Sequence, residues 1–237
     1  MRYLTKGYPK PIIPLLLPWN DIQRKLMPRK KWFFSQPFTI SYIALLWIFF
    51  AILGFGSTSN CNVDWQRRII CDSAIYANEI YTSPWQFIRS WFTAPWFVNG
   101  WDHLIYCTGG FLIFVQSYEK LAGTLKSLIV FFSGIAVVAS ICSIIIVVGY
   151  HINPTIDFFY YGMRRNWMGS SVGFFAIIGA LLHEGRKPWL LLIPVIIFEI
   201  WNGQTNISLH TSSSHMLAII YGFVIGMLFN KKSYIPQ

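Results

Sequence analysis

The sequence predicts an all-α membrane protein in which six transmembrane helices form a bundle and both termini lie in the cytoplasm. The first observation is composition, since 54% of the residues are hydrophobic and 12% are charged, against about 25% charged residues in a soluble domain. The second is a series of long apolar runs, because a membrane-spanning helix needs roughly 20 mainly apolar residues. Within lipid such runs must be helical, since every backbone polar group needs a partner inside the chain.

Six apolar runs divide the chain. They cover about 38–55, 101–122, 127–148, 167–182, 188–201 and 212–229. Runs four and five are shorter than the others, so we do not require them to cross the bilayer squarely. A basic, proline-containing segment, 1–37, precedes the runs at the cytoplasmic face or the membrane interface. The membrane domain covers 38–230, and 231–237 form a cytoplasmic tail.

The distribution of basic residues sets the orientation. Fourteen of the 19 Lys and Arg residues fall in the N-terminal segment, in the turns after runs two and four, and in the tail. The positive-inside rule places these parts in the cytoplasm. The formal net charge of +10 therefore reflects topology and anionic lipid headgroups, and the lack of a basic soluble face excludes a nucleic-acid partner. We expect a multi-pass integral protein of the cell membrane, with the lipid bilayer as a partner.

The four cysteines do not have the spacing of metal ligands. Cys107 and Cys142 fall in apolar runs, where a free thiol packs like a small apolar side chain. Cys61 and Cys71 share one polar loop, and whether they pair depends on the compartment that this loop faces. The sequence leaves that pairing open. We expect neither a metal nor any other cofactor.

Three polar residues converge on one membrane level. In the predicted topology, runs two, four and six all cross from outside to inside, and His103, Ser171 and His215 lie near their starts. A serine becomes a nucleophile when a base lies within hydrogen-bond reach, and neutral histidine is the usual base near pH 7. Taken alone, a serine in a membrane helix more often bonds a carbonyl one turn back, and a lone histidine more often packs. The shared depth favours a catalytic pair, Ser171 and His215.

Small residues indicate that runs four and six pack closely. Gly222 and Gly226 follow His215 on one helical face, and run four contains Gly179. Small residues at a helix interface let two backbones approach each other. We therefore expect Ser171 and His215 to come within contact distance.

The motifs around these residues resemble those of the rhomboid intramembrane serine proteases. In run four the family has G-x-S-G, which Gly169 and Ser171 match, while Val172 takes the place of the second glycine. In run six the family has H-x-x-G-x-x-x-G. There His215 and Gly222 match, Ala218 replaces the first glycine, and Gly226 extends the series.

Run two carries a third part of the resemblance. The family has a histidine, an asparagine four residues later, a glutamate twelve beyond that and a glycine four further on. His103, Glu119 and Gly123 match at these spacings, and Cys107 occupies the asparagine position. The preceding stretch, 85–93, is similar to the family's first loop with its Trp and Arg residues. The resemblance covers about residues 84 to 226.

The resemblance implies a six-helix rhomboid-like bundle with an intramembrane serine endopeptidase activity that cleaves transmembrane protein substrates near their outer ends. Ser171 would be the nucleophile and His215 the general base, without a third residue. The oxyanion would be held by the Ser171 backbone N–H, by His103 and by the position of Cys107, although a thiol is a weak donor. The remaining motif residues would be structural: Gly169, Glu119, Gly123, Gly222 and Gly226.

Two alternatives stay open. Cys107 and Val172 favour a catalytically weak or inactive relative, a rhomboid pseudoprotease that binds membrane-protein clients. An unrelated transporter or membrane-complex subunit is the other, but transporters more often contain internal repeats, and none is found here. The identity of the substrate is left open, and Glu199 falls inside run five with no role that the sequence suggests.

Overall fold

The computed structural model of the protein describes residues 10–56, 61, 64–204 and 206–231. The described chain is predominantly helical, which confirms the all-α class. The helices are α1 (Arg29–Phe34), α2 (Pro37–Leu53), α3 (Trp65–Ser73), α4 (Glu79–Thr82), α5 (Pro84–Thr93), α6 (Trp101–Gly110), α7 (Gln116–Ala122), α8 (Thr124–Ile152), α9 (Asp157–Arg164), α10 (Ser171–Leu181), α11 (Trp189–Asn202) and α12 (Asn206–Lys231). Residues 1–9 of the predicted N-terminal segment and 232–237 of the predicted tail lie outside the described residues.

Short irregular helices extend this set. Single 3₁₀ turns follow α5 and α10, at Ala94–Trp96 and Leu182–Glu184. A π-helical segment, Phe111–Val115, joins α6 to α7, so the chain is helical without a break from residue 101 to residue 122. That stretch coincides with the second predicted run.

Two helices are long and apolar enough to cross a membrane, judged by length and composition: Thr124–Ile152 and Leu209–Phe229. Three shorter apolar helices cover Pro37–Leu53, Ser171–Glu184 and Trp189–Asn202. Each of the six predicted runs thus corresponds to helical structure, and two of them reach a full membrane span as single α-helices.

Helix α10 lies at the centre of the bundle. Every residue from Gly173 to Leu181 is buried, as expected of a helix that is apolar on all sides. Its contact with α12 is a backbone contact: an added Cβ at Gly222 would lie 1.7 Å from the Ala176 carbonyl oxygen, and one at Gly226 would lie 3.0 Å from the Ala180 Cα. These two pairs have the same sequence offset, so α10 and α12 run parallel and His215 lies level with the start of α10.

The structure moves the boundaries of two predicted helices. Helix α10 begins at Ser171 rather than at 167, because residues 166–167 form a short strand, β2, that pairs with β1 (Ile75–Tyr76). Gly169 then adopts φ 104°, a left-handed conformation that an α-helix does not contain. Helix α12 begins at Asn206 rather than at 212. The prediction was based on where the apolar residues begin, and the hydrogen-bonded helix extends beyond them into a polar stretch.

The region between α2 and α6, expected to be a polar loop, forms a helical layer. Cys61 and Cys71 form a disulfide, with their Cα atoms 5.8 Å apart, which answers the pairing question that the sequence left open. The layer is tied to the turn before α10 by the β1–β2 pair and by the Gly169 N–H, which donates to the Ala94 carbonyl at 3.0 Å. It therefore holds the residues that precede Ser171.

Glu119 holds the start of α2. Its carboxylate accepts hydrogen bonds from the Phe38 N–H at 2.8 Å and from the Thr39 N–H and hydroxyl at 2.9 and 2.8 Å. Those N–H groups belong to the first turn of α2 and lack partners within the helix. Gly123, with φ 94°, then turns the chain from α7 into α8, a conformation that favours glycine. Glu119 and Gly123 thus set the path of the chain at the start of α2 and between α7 and α8.

Residues 10–28 lie along the ends of α7 and α10. The Lys120 ammonium donates to the carbonyls of Leu17, Pro18 and Asn20 at 3.2, 2.6 and 3.0 Å. The N–H groups of Arg186 and Lys187 donate to carbonyls of the same segment at 2.8 and 3.0 Å. The described part of the N-terminal segment is therefore packed against the helix ends.

Candidate active site

Ser171 opens α10 and faces a cavity. Its side chain is 7% exposed and lines a space of about 90 Å³, enclosed by α8, α12 and the turn before α10. A volume of this size admits water molecules. The polar side chains around it come from distant parts of the chain: Asn99, His103, Arg165, Ser171, His210, Thr211, Ser214 and His215. The three residues predicted to share one depth thus lie on one cavity.

The imidazole of His215 is fixed in its plane by Phe175. The two rings stack with centroids 3.9 Å apart and planes 5° apart. Phe175 follows Ser171 by one turn of α10, so the stacking residue and the predicted nucleophile project from the same helix face. His215 Nε2 is buried and has no hydrogen-bond partner among the described residues. No bond from the Ser171 hydroxyl reaches it in this conformation, as is common before a substrate binds.

Glu199 of α11 lies on the other side of that ring. Its Oε2 is 3.0 Å from His215 Nδ1, and both side chains are 2% exposed. The two atoms are in close contact, but the geometry does not satisfy a hydrogen bond. The sequence suggested no contact for Glu199, although a carboxylate inside an apolar run marks a candidate functional residue.

His103 presents a donor to the turn before Ser171. The Asn99 N–H donates to His103 Nδ1 at 3.2 Å, so the neutral ring carries its proton on Nε2. A Cβ added at Gly169 would lie 2.4 Å from His103 Cε1 and 2.5 Å from Nε2. Position 169 therefore requires glycine for two reasons. Its φ is positive, and the His103 ring occupies the space that a side chain would need.

Cys107, in the predicted asparagine position, lies one turn after His103 and is fully buried. Its thiol contacts His103 and Ser170, and it is not among the residues that line the cavity in the described part of the chain. The three residues predicted to hold the oxyanion therefore do not all face the cavity. His103 and Ser171 face the cavity, while Cys107 supports them from inside the bundle.

The first turn of α10 supplies further donors for a developing anion. Backbone N–H groups at a helix start lack intrahelical partners, and the helix dipole places partial positive charge there. Ser171 is the first residue of α10. A tetrahedral intermediate formed on its hydroxyl would therefore place its oxyanion near the Ser171 N–H and the Nε2–H of His103.

Two further basic residues face the cavity without having been predicted. His210 stacks on Phe158, with ring centroids 3.9 Å apart, and it belongs to α12 because that helix starts earlier than expected. Arg165 precedes β2, and burial lowers the pKa of its guanidinium. Both residues lie in segments that were predicted to be loops.

No protein-family model, no curated protein and no solved structure matches the chain. The interpretation of the site therefore depends on its geometry. The site contains a serine at a helix start, a buried histidine stacked on a residue of the same helix, a carboxylate beside that histidine, and a second histidine that presents an N–H donor.

Proposed function

We propose that the protein is an intramembrane serine endopeptidase of the rhomboid type, with Ser171 as nucleophile and His215 as general base. The observation that carries the proposal is the shared cavity. Ser171 and His215 both line it, and the backbone contact between α10 and α12 at Gly222 keeps the two residues level with each other.

The reaction follows from the positions of the donors and acceptors. The Ser171 hydroxyl oxygen attacks the scissile carbonyl carbon, its proton passes to His215 Nε2, and the carbonyl π electrons move onto the oxygen. The Ser171 N–H and His103 Nε2–H face that oxyanion. His215 then returns the proton to the leaving amine as the C–N bond breaks. A water molecule, deprotonated by His215, then attacks the acyl carbonyl carbon. The ester C–O bond to Ser171 breaks as His215 returns that proton to the serine oxygen.

The apolar outer faces of the helices support a membrane location, and we propose that the six apolar runs cross the bilayer. Large apolar side chains are exposed on three of the outer helices, with Ile144 of α8 at 51%, Ile197 of α11 at 61% and Ile220 of α12 at 59%. Extended exposed apolar surfaces mark contact with lipid or with a partner. The substrates we propose are transmembrane proteins of the cell membrane, cut near their outer ends.

The cavity suggests a small side chain at the cleavage point. Val172, which stands where the rhomboid motif has glycine, lines the cavity directly after the nucleophile, and its branched side chain takes up space there. Hydrophobic pockets discriminate by about 1–3 kcal/mol per methylene. We therefore expect cleavage after small residues in preference to large ones, and a broader preference in Val172→Gly.

Labelling with a fluorophosphonate probe in detergent tests the proposal. The probe should label the wild type, and labelling should disappear in Ser171→Ala. Ser170→Ala is the matched control, because Ser170 is the adjacent buried serine and is not among the residues that line the cavity. Labelling that survives in Ser171→Ala, or that is absent from folded wild-type protein, contradicts the proposal.

A rhomboid pseudoprotease that binds membrane-protein clients is the second candidate. The buried thiol of Cys107 favours it, because the family's amide donor is missing there, and losing one oxyanion donor costs about 2.7–4 kcal/mol in soluble enzymes. The variant Cys107→Asn separates the two candidates. Labelling that rises in this variant indicates a weakened protease, whereas silence in both proteins indicates a binding protein.

A further inference from the structure

The Glu199 carboxylate is buried inside the apolar helix α11 and faces the imidazole of His215. Its side chain is 2% exposed, and neither oxygen has a hydrogen-bond partner among the described residues. Burying an ionised carboxylate is strongly unfavourable unless a partner compensates. His215 Nδ1, at 3.0 Å, is in the position of that partner.

The connection between α11 and α12 brings the two residues together. Glu199 lies in the last turn of α11, where its carbonyl accepts the Gly203 N–H at 2.8 Å. A Cβ added at Gly203 would lie 3.4 Å from the Ser212 Cβ, so the chain turns back tightly and α12 passes close to the end of α11. Glu199 is thereby set against the third turn of α12, which carries His215.

We propose that Glu199 is the positioning residue of a Ser171–His215–Glu199 triad. The inference rests on the proposed protease function and deepens it, since the rhomboid resemblance implies a pair without a third residue. Phe175 fixes the plane of the imidazole, and Glu199 fixes its rotation within that plane. Once the carboxylate turns to accept the Nδ1–H, the proton of the neutral ring is held on Nδ1, and Nε2 is left free to act as the base.

The carboxylate acts through charge and not by taking a proton. When the Ser171 proton moves to Nε2, the ring becomes an imidazolium with protons on both nitrogens. In the proposed triad the Glu199 carboxylate stabilises that cation until the Nε2 proton passes to the leaving amine. A rotation of the carboxylate would bring Oε2 onto the axis of the Nδ1–H bond and make the hydrogen bond linear. Such catalytic hydrogen bonds tighten in the reacting complex.

The rate of fluorophosphonate labelling tests this role in the full-length protein. Glu199→Gln keeps the shape and removes the charge, so we expect the limiting inactivation rate to fall about 10²- to 10⁴-fold, with the concentration of half-maximal rate unchanged. Glu199→Asp keeps the charge and should retain a rate within about tenfold of the wild type. Glu184→Gln is the matched control, because Glu184 is also buried but lies at the far end of α10, and its labelling rate should not change.

A second measurement does not depend on activity. With ¹⁵N-labelled histidine in Ser171→Ala protein, the nitrogen shifts of neutral His215 should report a proton on Nδ1, and the added substitution Glu199→Leu should shift it toward Nε2. Wild-type labelling with an unchanged rate in Glu199→Gln overturns the triad and leaves the proposed function standing. Absent labelling in the wild type removes the proposed function, and an Nε2 proton on His215 in Ser171→Ala then overturns the pairing with Glu199 as well.

Discussion

The contact between α10 and α12 gives the sharpest mechanical prediction. A methyl group at Gly222 would lie 1.7 Å from the Ala176 carbonyl oxygen, 2.6 Å from the Ala176 carbonyl carbon and 2.9 Å from its Cα. All three atoms belong to the backbone, so no side-chain rotation relieves the overlap. Ordinary contact begins at 3.4 Å, so Gly222→Ala must push the two helices apart by roughly 1.5 Å.

The expected size of the effect follows from that displacement. Inserting a methyl group into a packed interface costs about 1–3 kcal/mol, which outweighs the gain of up to about 1 kcal/mol from replacing a helical glycine with alanine. Ser171 belongs to one of these helices and His215 to the other. A misplacement of about 1 Å between reacting groups lowers rates by about 10²-fold, so labelling of Gly222→Ala should fall by that order.

Two measurements in detergent check this prediction: the midpoint of thermal unfolding and the rate of fluorophosphonate labelling. Gly109→Ala in α6 is the matched control, because an added Cβ there has no neighbour within 4 Å. We expect the control to keep or raise the midpoint and to keep the rate. A Gly222→Ala protein with a wild-type midpoint would refute the backbone contact, whatever its labelling.

Three other predictions concern stability and can be read from unfolding midpoints. Glu119→Ala leaves the first N–H groups of α2 unpaired, including that of Thr39, and should lower the free energy of unfolding by about 1–3 kcal/mol; an unchanged midpoint would contradict the capping contact. Reduction of the disulfide between Cys61 and Cys71, 10 residues apart, should lower it by up to about 3 kcal/mol, and a Cys61→Ser, Cys71→Ser protein should no longer respond to reductant. Burial raises the pKa of the Glu79 carboxyl above its ordinary value of 4.5, so the folded state binds this proton more tightly and stability should fall as pH rises through the raised pKa. Glu79→Gln should remove that part of the pH dependence, and an identical pH profile in the variant would argue against it.

Much of the fold and the centre of the site were accessible from the sequence. Lipid leaves helices as the one solution for long apolar runs, so composition and run length predicted the all-α class and the approximate helices. His103, Ser171 and His215 were found because each lies at the same end of a run, and parallel runs bring such ends together. Gly169 was marked by its motif, and the structure supplies the reason in its φ of 104° and the neighbouring ring of His103.

Some features depended on long-range packing that no local pattern encodes. Helix α11 is apolar around most of its circumference, so its sequence does not indicate which way Glu199 faces. Only the packing of α11 against α12 places its Oε2 3.0 Å from His215 Nδ1. The docking of residues 10–28 on Lys120 likewise uses backbone carbonyls, which every sequence offers equally. The sequence by itself determined the approximate helices and brought Ser171 and His215 to one level, since these follow from local polarity and spacing. The tertiary structure alone decided which buried ionisable side chains meet, because that depends on the rotation of each helix about its own axis.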